Sequence, residues 1–320
     1  MAENTKKLLI VAAVLILAGG ILFGGAIDML KWDFGKLSTD KYQTTEYTPG
    51  GSYKDIVIAT ETAKIQFLPS GDAGTKVVCY EEKTAKHIVS VENGVLTVRV
   101  QNNKKWYDYI GIFFDTPKIT IYMPAGEYGD LGIDSDTGDV QISAEFKFAS
   151  MDIRESTGKV TNCASVTGTM QIKTSTGDIT VEKVSAGAME LAVSTGRIIG
   201  RDVSCQGDVT VNVSTGKAGL TNVECRNLIS DGGTGDLSLD NVIAAEAFSI
   251  ERSTGDVDFE GCDAAEITVT TDTGHIRGSL LSDKVFIAET DTGRVDVPHT
   301  TTGGKCQLTT DTGNIKISIR

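Results

Sequence analysis

Four copies of Asp-Thr-Gly, at Asp136-Thr137-Gly138, Asp272-Thr273-Gly274, Asp291-Thr292-Gly293 and Asp311-Thr312-Gly313, spell the signature of an aspartic protease, whose chemistry needs two carboxylates sharing one proton. Ser156-Thr157-Gly158-Lys159 and Ser214-Thr215-Gly216-Lys217 have the Ser-x-x-Lys spacing that places a lysine beside a serine nucleophile. Gly232-Gly233-Thr234-Gly235-Asp236-Leu237 approaches a calcium-binding nonapeptide. Each match lacks its complement. Protease carboxylates must meet from two matching lobes, no Lys-Thr-Gly follows either Ser-x-x-Lys, and Leu237 stands where the calcium motif needs an aspartate. An acidic row of turns retains calcium as an open question. His87, His275 and His299 are too scattered to suggest a metal site or a catalytic base. No catalytic, cofactor-binding or metal-ligating residue is therefore assigned, and no cofactor.

All of these motifs fall on one series. A Thr-Gly pair closes on Gly138, Gly158, Gly177, Gly196, Gly216, Gly235, Gly255, Gly274, Gly293 and Gly313, at spacings of 19 or 20 residues. Such a period marks a repeat architecture in which each unit buries its apolar face only against its neighbours. Seven residues before the glycine stand Leu131, Met151, Met170, Met189, Val209, Leu228, Phe248, Ile267, Phe286 and Cys306. Five before stand Ile133, Ile153, Ile172, Leu191, Val211, Ser230, Ile250, Val269, Ala288 and Leu308. Asp152, Gln171, Glu190, Thr210 and Thr268 lie between these columns, so the period is two and the element is a strand. A second apolar column two after the glycine, from Val140 to Ile315, starts another strand past the turn.

A unit of strand, turn, strand and return turn is too short for a helical crossover. The expected fold is all-β: a single-chain β-solenoid of about ten coils, its columns stacked as ladders ~4.8 Å apart. Position one after the glycine mixes both signs from Asp139 to Asn314, which lessens repulsion along a solvent ladder. Cys262 and Cys306 fall in apolar columns, and Cys205 and Cys225 are ladder neighbours whose parallel Cβ vectors disfavour a bridge. These cysteines are expected to be free, buried thiols.

The rest of the chain divides by composition. Residues 1–7 form a short tail. Residues 8–27 carry no charge and have the length of a membrane span, and a cleaved signal peptide is the competing assignment, with Gly24 and Ala26 as small residues before a cut. Residues 28–52 read as a polar tether, with Trp32 and Phe34 as interfacial residues. Residues 53–125 hold strands at irregular spacing, with a hairpin turn at Glu92-Asn93-Gly94 and a degenerate first coil at Thr62-Ala63-Lys64-Ile65, and form an N-terminal cap on the array, 126–320. The aromatic and basic cluster Lys104-Lys105-Trp106-Tyr107-Asp108-Tyr109 lies inside that cap region. A formal charge of −13 opposes any nucleic-acid partner.

Repeated Ser-Thr-Gly-Asp-Ile and Asp-Thr-Gly-Asn-Ile units after one apolar segment resemble the bacterial "putative adhesin" family of unknown function, also called the toastrack domain, over about residues 50–320. The resemblance implies a β-solenoid of bacterial envelope systems without an established activity, and it carries over no site residues. The expected function is a non-catalytic binding or scaffold module, anchored in the cell membrane by a single pass with its bulk extracytoplasmic, and partnered by an envelope protein or a cell-wall component. The alternatives are a polysaccharide-acting β-helical enzyme and a self-assembling rod that associates through its C-terminal coil.

Overall fold

The two-residue alternation of the array becomes stacked parallel strands in a computed structural model, which describes residues 2–29, 42–72, 74–103 and 115–320. Met151 sits between Leu131 and Met170, and Ile153 between Ile133 and Ile172, all paired in register, so like residues stack on like through successive coils. Those columns are buried throughout the middle of the array, from Leu131 to Leu228 and from Ile133 to Val211. The coils through the middle of the array have three sides rather than the expected two. After the strand that follows the Thr-Gly turn, the chain bends again at a residue six past the glycine and begins a third short strand. Lys183, Asp202, Asn222 and Asn241 take positive φ at this corner, and Gly261 does so in the next coil. Asn241 donates to Asn222 at 2.9 Å and Asn222 to Asp202 at 2.8 Å, a side-chain ladder that fixes the bend.

The glycines of the Thr-Gly turns are required by proximity more than by dihedral angle. A Cβ on Gly158, Gly177, Gly196, Gly216 or Gly235 would stand 1.5–1.9 Å from the carbonyl oxygen of the turn glycine one coil below. Gly158 has no positive φ and meets the same obstacle.

Coils at both ends leave sequence order. We label the early strands β1 (Tyr42–Tyr47), β2 (Asp55–Thr62), β3 (Lys64–Pro69), β4 (Lys76–Glu82), β5 (Ala85–Glu92), β6 (Val95–Asn102) and β7 (Lys118–Met123). β2 pairs with β6 on one side and Asp130–Thr137 on the other, while β3 lies between β7 and Val140–Ile142. The degenerate coil around Ala63 is thus the second layer, and the later β6 and β7 lie outside it. β4 then runs antiparallel along β7, and β5 enters β6 through Asn93 and Gly94, both of positive φ, as the hairpin turn requires. At the other end Gly304–Thr312 lies between Val257–Thr273 and Lys284–Thr292. Ile315 is flanked by Ile276 and Val295. The last coil in sequence is therefore the second layer, and 284–296 is the outer one. Self-association is expected through an open C-terminal coil; 284–296 covers most of that coil and presents its own outer edge, while Ile317–Ile319 pair on one side only among the described residues.

The chain divides into two units, one of Met1–Gln43, Glu82–Ala85 and Asn102–Asp115, the other of Thr44–Glu81, Lys86–Gln101 and Thr116–Arg320, which contains the solenoid. In the first, α1 (Ala2–Met29) covers the apolar stretch, and Tyr42 donates to the Asp115 carbonyl at 3.0 Å. Its described side chains from Val11 to Gly25 are all exposed, Ile16 and Leu22 at 75%. Among the described residues no helix is long and apolar enough to cross a membrane, so the expected span at 8–27 stands in this structure as a helix only. Within the expected tether, 42–47 is the strand β1; Trp32 and Phe34 lie outside the described residues.

Candidate functional site

The tempting motifs resolve into turns. Asp136, Asp272, Asp291 and Asp311 are exposed at the Thr-Gly bends, stacked along one edge rather than facing each other across a cleft. The position after each glycine carries the polar work of the turn. The carboxylate of Asp139 accepts the backbone N–H of Lys159 at 3.0 Å, Asp178 that of Arg197 at 3.0 Å, and Asp256 that of His275 at 2.8 Å. The ladder continues in spatial rather than sequence order: His275 Nδ1 accepts from Asn314 at 2.8 Å, and Asn314 accepts from Arg294 at 2.9 Å. Arg197 also meets Asp178 at 2.7 Å, and Lys217 meets Asp236 at 2.8 Å. Hydrogen bonds from those cations hold both carboxyls below their usual range. The acidic row is thus occupied by amides and cations of its own neighbours.

The column three before the glycine points inward and is mostly polar, with Val193, Val213 and Gly232 as the exceptions. Thr310 donates to the Gly274 carbonyl at 3.0 Å and Thr290 to that of Gly313 at 2.9 Å, so these hydroxyls satisfy turn carbonyls of the adjacent coil. Glu155 occupies this column at 3% exposure, and neither of its oxygens has a hydrogen-bond partner of good geometry. Burial pushes its carboxyl up to about 7, and the charges of Asp136 and Asp139 act the same way, outweighing the nearby Ser135 hydroxyl and Thr157 backbone. A protonated Glu155 can donate as the threonines do. Arg252 takes the same column at 2% exposure. Gly232, its register partner, leaves the room, since a Cβ there would lie 1.6 Å from the guanidinium. Ser230, the polar exception among the apolar residues five before the glycine, accepts from Arg252 Nη2 at 2.7 Å. Gly232 is therefore space for an arginine, and Gly233 lets the chain pass the Ser214 carbonyl, which a Cβ would meet at 2.6 Å.

Outside this column lies an open groove of about 330 Å³ crossing four to five coils. Ser156, Ser175, Ser194 and Ser214 form one wall, and Arg154, Lys173 and Asn212 stand among the residues on the other. Arg154 pairs with Asp152 at 2.6 Å and Lys173 with Glu190 at 2.8 Å, while the four serine side chains face solvent. The same hydroxyl is thus repeated in four successive coils, about 4.8 Å apart.

Sequence reasoning passed over Glu155 and Arg252, although a charged residue in a column that the two-residue period sends inward is a legible signal. It also missed the corner ladder, whose Asp202, Asn222 and Asn241 recur at one offset. All six cysteines are free, and five of them are buried; Cys163 is half-buried. The cluster Lys104–Tyr109 lies outside the described residues.

Among solved structures the solenoid resembles a "Putative lipid binding protein" from Parabacteroides distasonis, at 16% identity and a TM-score of 0.52, covering 75% of this chain and 98% of that one. A "putative adhesin" from Parabacteroides merdae matches at 11% identity and TM-score 0.47, and one from Bacteroides fragilis at 15% and 0.44; each match covers 88% of this chain, and 98% and 99% of the other chain respectively. No curated protein matches the chain. The family model for Toastrack DUF4097 matches residues 53–213 and 202–320, which together span the whole solenoid and its cap, and the chain belongs to that family.

Proposed function

We propose that the chain is a non-catalytic binding module, tethered to the cell membrane through α1 with its bulk on the extracytoplasmic side, that holds a hydroxyl-rich polymer of the cell envelope along the serine groove. The groove carries the proposal: one donor-acceptor hydroxyl repeats in four successive coils, which suits a ligand that is itself a repeating chain. Its arginine and lysine add cationic contacts beside the hydroxyls, within an otherwise acidic molecule. The tether rests on the uncharged stretch 8–27 and on the exposure of every described side chain from Val11 to Gly25, an apolar surface that water alone covers at a cost. A fold relative titled a "Putative lipid binding protein" is consistent with work at a membrane surface. An enzyme on polysaccharide is less well supported. Glu155 is the acid with the most suitable proton affinity, and it lines the groove, but its two oxygens are buried beneath that surface.

The test uses the full chain in detergent or nanodiscs, sedimented with isolated cell-wall polysaccharide. Co-sedimentation is expected, and Ser175→Glu with Ser194→Glu should weaken it at least tenfold without moving Tm. No binding by the wild type, or equal binding by the variant, overturns the groove. Protease shaving of whole cells tests the tether: cleavage of the solenoid from outside is expected, and full protection refutes the topology.

A further inference from the structure

β4 alternates in the ordinary way, with Val77, Cys79 and Glu81 all turned inward. Two of these are apolar or nearly so, and the third is a carboxylate at 0% exposure. Such a charge persists in a core only when paired or bound to a cation. Around it stand Cys79, at 0% exposure, and His87 of β5, at 4%. One ligand atom from each of the three, Cys79 Sγ, a Glu81 oxygen and a His87 ring nitrogen, lies within 4.8 Å of the other two. We propose that Cys79, Glu81 and His87 bind a divalent transition-metal ion of the zinc class, which locks the β4–β5 cap onto the end of the solenoid.

Donor set, charge and outer contacts all favour such an ion. Thiolate, imidazole and carboxylate are the three ligand types zinc takes, at about 2.0–2.3 Å, and three of them around one point leave a fourth position to complete a tetrahedron. One thiolate and one carboxylate neutralise a dication, so the buried site becomes neutral overall when filled. His87 Nδ1 lies 3.0 Å from Glu81 Oε2, and its Nε2 lies 3.4 Å from Thr60 Oγ1, a partner on the far side of the ring that orients it as ligating histidines are oriented. Glu81 Oε1 accepts from Thr45 at 2.7 Å, Oε2 accepts from the His87 backbone N–H at 2.6 Å, and the His87 carbonyl is held by Tyr47 at 2.7 Å. The Glu81–His87 contact alone would explain these two residues. It leaves Cys79 without a hydrogen bond among the described residues, at the one place in the core where a thiol adjoins both a carboxylate and an imidazole. Binding then exchanges the sulfur's proton for the metal, with no change of oxidation state.

The experiment titrates Co²⁺, and in parallel Zn²⁺, into the full-length chain in detergent after chelator treatment under reducing conditions. One equivalent is expected, with a thiolate-to-cobalt charge-transfer band that Zn²⁺ abolishes and a rise of several degrees in Tm on zinc loading. Cys79→Ser and His87→Gln should each weaken zinc at least tenfold, and Cys163→Ser, which alters the half-buried thiol elsewhere, should leave it unchanged. Thr60→Val, which removes only the outer contact, is expected to weaken it about tenfold. If the Cys79 and His87 variants fail to fold, the wild-type titration decides: absence of a thiolate band at one equivalent overturns the proposal. So does a Co²⁺ signal that survives Cys79→Ser or disappears with Cys163→Ser.

Discussion

The two ends of the solenoid use the same manoeuvre and finish it differently. At each, the coil next to the regular stack is contributed out of turn, and an intervening stretch of chain is displaced to the outside. At the N-terminal end the outer strand β7 is covered again by β4, and the residues beneath are sealed, with Phe67, Ile119 and Ile121 all at 0–1% exposure. At the C-terminal end 284–296 carries no further strand among the described residues. Val285, Ile287 and Val295 stand 38–44% exposed there, and Phe286, heir to a column that is buried elsewhere, is only half-buried. A repeat stack has no intrinsic reason to stop, so each end needs a device, and here one is a lid and the other a worn edge.

The sharpest break in the comparison would come from between the ends. Gly216→Ala is expected to cost about 4 kcal/mol or more, or to prevent folding, because its Cβ would meet the Gly196 carbonyl at 1.8 Å from a φ of +139. Gly219→Ala, with open space around it, should stay within about 0.5 kcal/mol in the same denaturant series. Next in size, Phe67→Ala at the lidded end should cost about 3–5 kcal/mol, and Phe286→Ala at the bare end only about 1–2 kcal/mol. Equal values would mean that the bare end is covered in solution.

Acidity separates the interior from both ends. The Glu155 carboxyl is raised from 4.5 to about 7, so the folded chain binds a proton more readily than the unfolded one. Its contribution is whole below pH 4.5 and disappears as pH rises through 7. Glu155→Gln should therefore stabilise the chain at pH 8 by about 2 kcal/mol and flatten the slope between pH 4.5 and 7, read from urea midpoints. An unchanged slope would mean that another group titrates there. Smallest of all, Ile287→Lys should move stability by no more than about 0.5 kcal/mol, since the side chain is 44% exposed.

The coil repeat was legible because it is a matter of period and column: apolar residues seven and five before each glycine predicted the buried face, and the register confirms it from Leu131 to Leu308. The exchange of coils at the ends was not, since Ile267 pairs as well with Cys306 as it would with Phe286, and a repeating pattern says nothing about which copy is a neighbour. The third side of the middle coils escaped because two strands and two turns already accounted for the apolar columns. Glycine's role was half visible. Its recurrence marked a turn, but the need for it comes from a carbonyl one coil below, which no local pattern contains. Glu155, Arg252 and the Cys79–Glu81–His87 group share one cause of concealment: each is polar where alternation says inside, and only the finished packing shows what it faces.

Putting residues 304–319 beneath 284–296 has a consequence for how the molecule is made. A ribosome delivers the chain in one direction, and most of the array can be laid down as it emerges, each coil on a finished predecessor. Residues 284–296 have no such floor until residues 304–319 have emerged after them, because the layer they rest on lies later in the chain. Removing residues 304–319 therefore costs two coils rather than one and leaves the Val257–Thr273 layer exposed, so the outer coil folds only after a segment that follows it in the chain.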